Sequence, residues 1–264
     1  MNLVLEQAVR GIAEEEILPR YMKVARLRKE DGSLFTEADL AVQEALKREL
    51  REIRPVPLIG EEMDTKTQKA LWESEEVWCV DPIDGTSNFV NGIPYFAISV
   101  ALMRKGRSLL GAVYNPVSQE MFTAAKGEGA FLNGERLPLR QGPGTVRGSI
   151  AAVDFKRLEK KLASRLVLFP PYSSQRNFGA CSLEWCYLAA GRIDLYLHGG
   201  QKLWDYAAGA LILEESGGKI GCIERDDFWE SPPWTRSAIA ARNEALFGEW
   251  RDWIRDGNCE VAAG

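Results

Sequence analysis

At residues 77–89 the chain passes from an apolar run into Asp81-Pro82-Ile83-Asp84-Gly85-Thr86-Ser87-Asn88-Phe89, which sets two carboxylates and a hydroxyl around a turn. No other stretch constrains the fold as strongly. Residues 77–80 suit a strand buried in a sheet, and Pro82 has no N–H to give a neighbour, so pairing is predicted to end where Asp81 leaves the strand. In a straight strand Asp81 and Asp84 would point to opposite faces. A turn through Pro82 and Gly85 brings both to one side, and the Gly85 and Thr86 amides can then face a ligand without interference from a Cβ. Such amides suit phosphate oxygens. The segment reads as a site for a metal and a phosphate.

With 264 residues, 45% hydrophobic and 27% charged, the chain suits a soluble globular protein of one large domain or two intimately packed halves. A net charge of -5 gives no overall attraction for nucleic acid or an anionic membrane, so neither is expected as a partner. An anionic substrate then needs local cations, and divalent metals on a carboxylate cluster would supply them. The five cysteines, Cys79, Cys181, Cys186, Cys222 and Cys259, are odd in number, lack a C-x-x-C pair and mostly sit in apolar runs. They are expected to be reduced. The first residues lack a basic segment followed by an apolar one, and no run approaches the roughly 18–20 residues that span a bilayer. A cytoplasmic address is the expectation.

Leu5, Ala8, Val9, Ile12 and Ile17 recur at helical spacing, which predicts an amphipathic helix bent near Pro19. Residues 26–33 read as an exposed charged loop. Thr36 is placed to cap a second helix with Ala41, Val42, Ala45, Leu46 and Leu50 inward, stopped by Pro55 and Pro57. Strands at 96–103, 108–114 and 121–125 predict an antiparallel meander. The turn-rich residues 141–144 mark a seam between subdomains of about 1–142 and 145–264. Beyond it, strands are predicted at 149–153, 166–169, 194–197, 219–223 and 238–241, alternating with helices near 183–190, 206–215 and 244–255. That alternation indicates an α/β half.

Three more pieces accompany the opening motif: Gly60-Glu61-Glu62, Thr36-Glu37-Ala38-Asp39, and Trp204-Asp205 at the start of a W-D-x-A-x-G helix that ends near Gly217-Gly218. Each alone has an ordinary explanation. Asp84-Gly85 suits a turn, Asp39 a cap with Thr36, Asp205 a helix start and Glu61 a solvated loop. Together, in this order and over nearly the whole chain, they resemble the inositol monophosphatase family.

The resemblance implies an α+β / α/β fold: a layered αβαβα sandwich with an antiparallel-rich first half, an α/β second half and the site in the cleft between them. It implies that Glu61, Asp81, the Ile83 carbonyl, Asp84 and Asp205 hold two or three Mg²⁺ ions, with Mn²⁺ also possible. Thr86 paired with Asp39 then steers an attacking water, with Glu61 in the same catalytic set. Asp84, Gly85, Thr86, Arg176, Cys181, His198 and Asp205 are implied as substrate contacts. A homodimer and lithium sensitivity are implied too. Oxygen-only ligands favour Mg²⁺ or Mn²⁺ over zinc, and two metals suit phosphate-monoester hydrolysis, among the slowest reactions in biology when uncatalysed.

The expected substrate is a small phosphorylated sugar or polyol, myo-inositol 1-phosphate first. Two departures bear on it. His198 stands seven residues before Asp205, where inositol-specific members resemble one another in carrying a glutamate. Cys181 stands where a small residue is expected near the sugar, which leaves Arg176 without its usual acidic partner. Arg176 with His198 therefore suggests a second phosphate, as in fructose 1,6-bisphosphate, and that activity stays open as an alternative. Ser87 after D-G-T, where adenosine-bisphosphate phosphatases typically place lysine, makes a nucleotide substrate less favoured. A non-catalytic metal-dependent regulatory protein is the contrasting class, and the complete ligand set weighs against it.

Overall fold

A computed structural model describes residues 2–23, 27–28 and 34–256. Helix α1 (Asn2–Ile12) turns Leu5, Val9 and Ile12 inward, then widens into one π-helical turn, Ala13–Ile17. There the Leu18 N–H reaches back to the Ala13 carbonyl at 2.9 Å. The departure from regular helix thus comes before Pro19, not at it, and the extra residue in the turn keeps Ile12, Ala13 and Ile17 all buried. Of the loop expected at 26–33, Leu27–Arg28 (β1) pairs antiparallel with Leu34–Phe35 (β2), and the other positions lie outside the described residues. Thr36 caps α2 (Glu37–Ile53), which buries Val42, Ala45, Leu46 and Leu50, with Ala41 half-buried, and ends before Pro55.

The first sheet has seven strands in the order β3 (Leu58–Gly60), β4 (Glu76–Asp84), β5 (Ala97–Arg104), β6 (Arg107–Asn115), β7 (Glu120–Ala125), β8 (Gly129–Leu132) and β9 (Glu135–Arg136). Only β3 and β4 run parallel, joined through α3 (Thr65–Trp72), whose N-cap is Asp64. The expected meander is present, and β8 and β9 prolong it. Residues 141–144 lie in the connection from this sheet to the next.

The second sheet runs β11 (Ser174–Arg176), β10 (Ile150–Asp154), β12 (Leu195–Gln201), β14 (Arg236–Ala241), β13 (Lys219–Gly221), with β11, β10 and β12 parallel. Helices α6 (Cys181–Ala189) and α7 (Leu203–Glu215) fill the space between the sheets, burying Leu183, Trp185, Tyr206 and Leu211 against Val77 and Cys79 on one side and Tyr196 and Ala240 on the other. Helices α1 and α2 cover the far face of the first sheet. Helices α5 (Lys160–Leu168) and α8 (Glu244–Arg255) cover that of the second. The result is a layered αβαβα sandwich.

The strand expected at 166–169 is instead the last turn of α5 and the residue after it. Leu162, Ala163 and Leu166 recur at helical spacing and face the core, whereas Val167, Leu168 and Phe169 are exposed. Strand β11 escaped sequence reading because Ser-Gln-Arg carries no apolar pattern. The four described cysteines are free. Among the described residues no helix is long and apolar enough to cross a membrane.

The glycine of W-D-x-A-x-G has a packing role. A Cβ on Gly209 would overlap the Cβ of Trp185, so its absence lets α6 and α7 approach. Gly209→Ala is expected to cost about 1–3 kcal/mol by overpacking and to lower the melting midpoint by several degrees. A calorimetric scan that leaves the midpoint unmoved would show slack at this crossing.

Candidate active site

Strand β4 does not end at Pro82. Asp81 pairs with Ser99 and Asp84 with Ala97, so three steps along β4 match two along β5. Pro82 and Ile83 form the bulge between them, where a missing N–H costs no ladder bond. The bulge also rotates Asp84 to the face already occupied by Asp81. Since Val77 and Cys79 point into the layer between the sheets, Asp81 does so too. Gly85 follows in the left-handed region at φ 88° and starts α4 (Thr86–Asn91). A Cβ there would lie 2.9 Å from Ala180 Cβ and 3.2 Å from the Tyr95 carbonyl, so both backbone angle and space demand glycine.

Asp84 reaches across to α6. Its Oδ1 accepts from the Cys181 N–H at 3.2 Å, and its Oδ2 accepts from the Ser182 N–H at 2.7 Å and the Ser182 hydroxyl at 2.5 Å. The N-cap residue of α6, Ala180, has no side-chain acceptor, so Asp84 caps this helix from another layer. Asn88 adds a second tie, its Nδ2 donating to the Tyr95 and Phe178 carbonyls at 2.7 Å each. Phe89 packs edge-on against Phe96 in the core under α1 and α2.

Asp39 lies in the first turn of α2, where its Oδ2 accepts from the Thr36 N–H and hydroxyl, both at 2.7 Å. Its Oδ1 stands 3.5 Å from the Thr86 hydroxyl, which is 3.0 Å from the Ile83 carbonyl. Glu61 follows β3, in a turn held by the Gln68 amide on the Gly60 carbonyl at 2.9 Å and by the Glu62 N–H on Gln43 Oε1 at 3.2 Å. Asp205 sits in the first turn of α7 and accepts from the Lys202 N–H at 2.8 Å.

Electrostatics tie these carboxylates together. Burial pushes Asp81 well above the usual carboxylate range, and Glu61, Asp84, Asp205 and Asp39 push it further. Burial likewise raises Asp205, with Asp84 and Glu61 adding to it. Burial lifts Asp39 to about 7 against the pull of Thr36, and Glu62 and Glu61 add to the lift. Asp84 rises only to about 6, because the Ser182 and Cys181 donors oppose burial. Among the described residues no three His, Cys, Asp or Glu side chains stand close enough together to hold a metal ion as placed. The donor set nonetheless fits a hard divalent cation: oxygen ligands only, buried or half-buried, mutually repelling, and relieved by a shared positive charge.

The implied substrate contacts separate into two groups. Gly85, Thr86, Asp84, Asp205 and the half-buried Cys181 adjoin the carboxylates, and burial pushes the Cys181 thiol well up. Arg176 turns back onto its own strand, donating to Ser174 Oγ at 2.7 Å and the Gln175 carbonyl at 2.8 Å. His198 is buried, its Nδ1 accepting from the Gly200 N–H at 3.1 Å. Its Nε2 then carries the proton and faces Asp154 Oδ2 at 3.2 Å. Both ring nitrogens are thus engaged within the protein.

Ser182, Asn88, Glu184 and Asp154 were not singled out by sequence. Glu184 is buried, accepts from the Phe178 N–H at 2.8 Å, and is pushed by burial to about 8. Asn88 carried a signal, as the asparagine of the D-G-T-x-N-F motif. Ser182 and Glu184 lacked one, because only the folded chain brings α6 to the bulge.

The Inositol monophosphatase family profile matches residues 2–251. The chain is 37% identical over 198 residues to the Nus factor SuhB of Pasteurella multocida, covering 73% of each chain. It is 34% identical over 230 residues to the inositol-1-monophosphatase of Caulobacter vibrioides, covering 84% of this chain and 87% of that one. The crystal structure of the extragenic suppressor protein suhB from Bartonella henselae superposes with a TM-score of 0.82 at 28% identity, covering 97% of this chain and 98% of that one. Matched in sequence and in layer architecture over nearly its full length, the chain belongs to the inositol monophosphatase family.

Proposed function

We propose that this chain is a Mg²⁺-dependent phosphate monoesterase acting on a small phosphorylated sugar or polyol, with myo-inositol 1-phosphate its first substrate. The convergence of buried and half-buried, mutually repelling carboxylates around one bulged strand end carries this reading. Glu61, Asp81, Asp84, Asp205 and the Ile83 carbonyl are the ligands proposed for two or three ions. When bound, Mg²⁺, or Mn²⁺ in its place, supplies positive charge for the phosphoryl and departing oxygens.

The remaining chemistry belongs to the protein. The single Thr86 hydrogen has two acceptors, the Ile83 carbonyl at 3.0 Å and Asp39 at 3.5 Å. Drawing Ile83 away leaves Asp39 to take that hydrogen, and a Thr86 lone pair then orients an attacking water. Asp39, raised to about 7, binds a proton readily near neutrality. Its own position is secured by both Thr36 bonds. A homodimer and lithium inhibition belong to the same proposal.

A non-catalytic, metal-dependent regulatory binding protein is the second reading, and some relatives carry the name Nus factor SuhB, not a phosphatase name. The complete set of acidic residues favours catalysis. Phosphate release from inositol 1-phosphate, fructose 1,6-bisphosphate and histidinol phosphate, with and without Mg²⁺, tests the choice. Metal-dependent release is expected, and none from any ester would leave the binding-protein reading.

Metal affinity should also depend on pH. Asp81, Asp84 and Asp205 all hold protons more tightly than free carboxylates, so a cation must displace them. Mg²⁺ binding measured by calorimetry is expected to tighten as pH rises from 6 to 8, by about tenfold per pH unit for each proton displaced. A pH-independent affinity would place the ions elsewhere.

A further inference from the structure

The turn that carries Glu61 is gripped by two glutamines from other elements. Strands β3 and β4 run parallel with Gly60 opposite Val80, one step before Glu61 and Asp81, so the backbone of this turn sets where the Glu61 side chain begins. Gln43 of α2 accepts from the Glu62 N–H through Oε1 at 3.2 Å, and Gln68 of α3 donates from Nε2 to the Gly60 carbonyl at 2.9 Å. Both glutamines are buried, at 7% and 4% exposure. Methionine or leucine would suit such inward positions, so burial alone gives no reason for a carboxamide at either.

Packing does not hold the turn unaided. A cavity of about 600 Å³ opens beside it, with Gln43, Leu58, Met63, Thr67 and Leu71 in its wall. The turn's own closing bond, from the Met63 N–H to the Gly60 carbonyl, is long at 3.3 Å. A Cβ on Gly60 would stand 2.2 Å from Gln43 Oε1 and 3.2 Å from Val80 Cγ2, so the carboxamide occupies the space that a side chain would take.

Gln43 also joins the turn to the other side of the site. It lies four residues after Asp39 on α2, one helical turn along the same buried face. Asp39 Oδ1 stands 3.5 Å from the Thr86 hydroxyl. One helix thus anchors the Glu61 turn and, a turn earlier, the partner of Thr86.

We propose that Gln43 and Gln68 are positioning residues that hold the Glu61 turn in register with Asp81 for metal binding, with α2 fixing its spacing from the Asp39 and Thr86 pair. This rests on the phosphatase reading and adds two residues that act only through the backbone of the turn. Their loss leaves every carboxylate in the chain and loosens the placement of one. The expected signature is weaker metal binding with normal turnover once metal saturates.

Gln43→Met and Gln68→Met conserve side-chain length and remove the polar bond. Calorimetric titration of Mg²⁺ into each variant at pH 8, without substrate, is expected to show affinity about 10–100-fold below wild type. With inositol 1-phosphate, the Mg²⁺ concentration giving half-maximal rate should rise by the same factor, while kcat and the ester's KM at saturating Mg²⁺ match wild type. Gly60→Ala drives a Cβ into the Gln43 carboxamide and should reproduce the defect, and the two losses should not add in the double variant. Thermal melting of the EDTA-treated proteins shows which variants fold, and Gly60→Ala carries the decision should a methionine variant lack a cooperative transition. Wild-type Mg²⁺ affinity in one folded glutamine variant removes that residue from the assignment, and in both it overturns the proposal. A loss of kcat that saturating Mg²⁺ fails to restore overturns it as well, and either result leaves the phosphatase reading standing. A wild type that neither binds Mg²⁺ nor releases phosphate overturns both.

Discussion

Asp81→Asn is expected to abolish phosphate release while making the metal-free protein more stable. The first effect follows from losing a charged ligand oxygen at the proposed metal site, for which about a thousandfold, or roughly 4 kcal/mol of transition-state stabilisation, is a fair minimum. The second follows from the proton affinity of the buried group. Asp81 is only 2% exposed and holds its proton well above the ordinary 3.8. A group raised in this way contributes its stability below the unfolded value, and that stability is lost as pH rises through the folded value. Above neutrality the folded protein therefore bears the cost of a charge that the unfolded chain carries freely in water. Asparagine removes the charge at every pH. A gain of about 1–3 kcal/mol corresponds to roughly 3–8 °C in the melting midpoint of the EDTA-treated protein at pH 8. The gain should shrink toward pH 4, where both forms are neutral. A midpoint below wild type at pH 8 would show that Asp81 is chiefly structural.

Asp84→Ala should lose both activity and stability. Its carboxylate accepts from Cys181 N–H, Ser182 N–H and the Ser182 hydroxyl, and those donors hold it at about 6 despite burial. Alanine leaves the first turn of α6 uncapped inside the protein. Loss of a cap together with unsatisfied buried donors costs about 2–4 kcal/mol, or roughly 5–15 °C in the midpoint. Asparagine keeps one acceptor oxygen and should fall less far, with activity still reduced by orders of magnitude. Calorimetry of the two variants beside Asp81→Asn separates the roles. If Asp84→Ala melts no lower than wild type, the capping bonds contribute little to the fold.

What the sequence disclosed, and what it hid, follows from the range of the interactions. The opening motif could be read because its parts act on one another within nine residues: Pro82 relaxes the ladder, Gly85 takes a positive φ, and Thr86 returns to the Ile83 carbonyl. Even there the mechanism differed, since the strand resumes after a bulge. The Thr36–Asp39 cap was legible for the same local reason, and it also proved to hold Asp39 beside Thr86. Ser182 was not legible. Its role arises only when α6 meets the bulge. The apolar run at 166–169 resembled a strand by composition, and only the inward stripe of Leu162, Ala163 and Leu166 decides for a helix.

The bond from Asp84 to Ser182 spans 98 positions of chain. At about 5–20 residues per second, a ribosome takes roughly 5–20 s to deliver the second partner after the first. Throughout that interval the nascent amino-terminal half carries its acidic strand end without the helix that completes it. Neither half alone holds all the site carboxylates together with the helix that Asp84 caps.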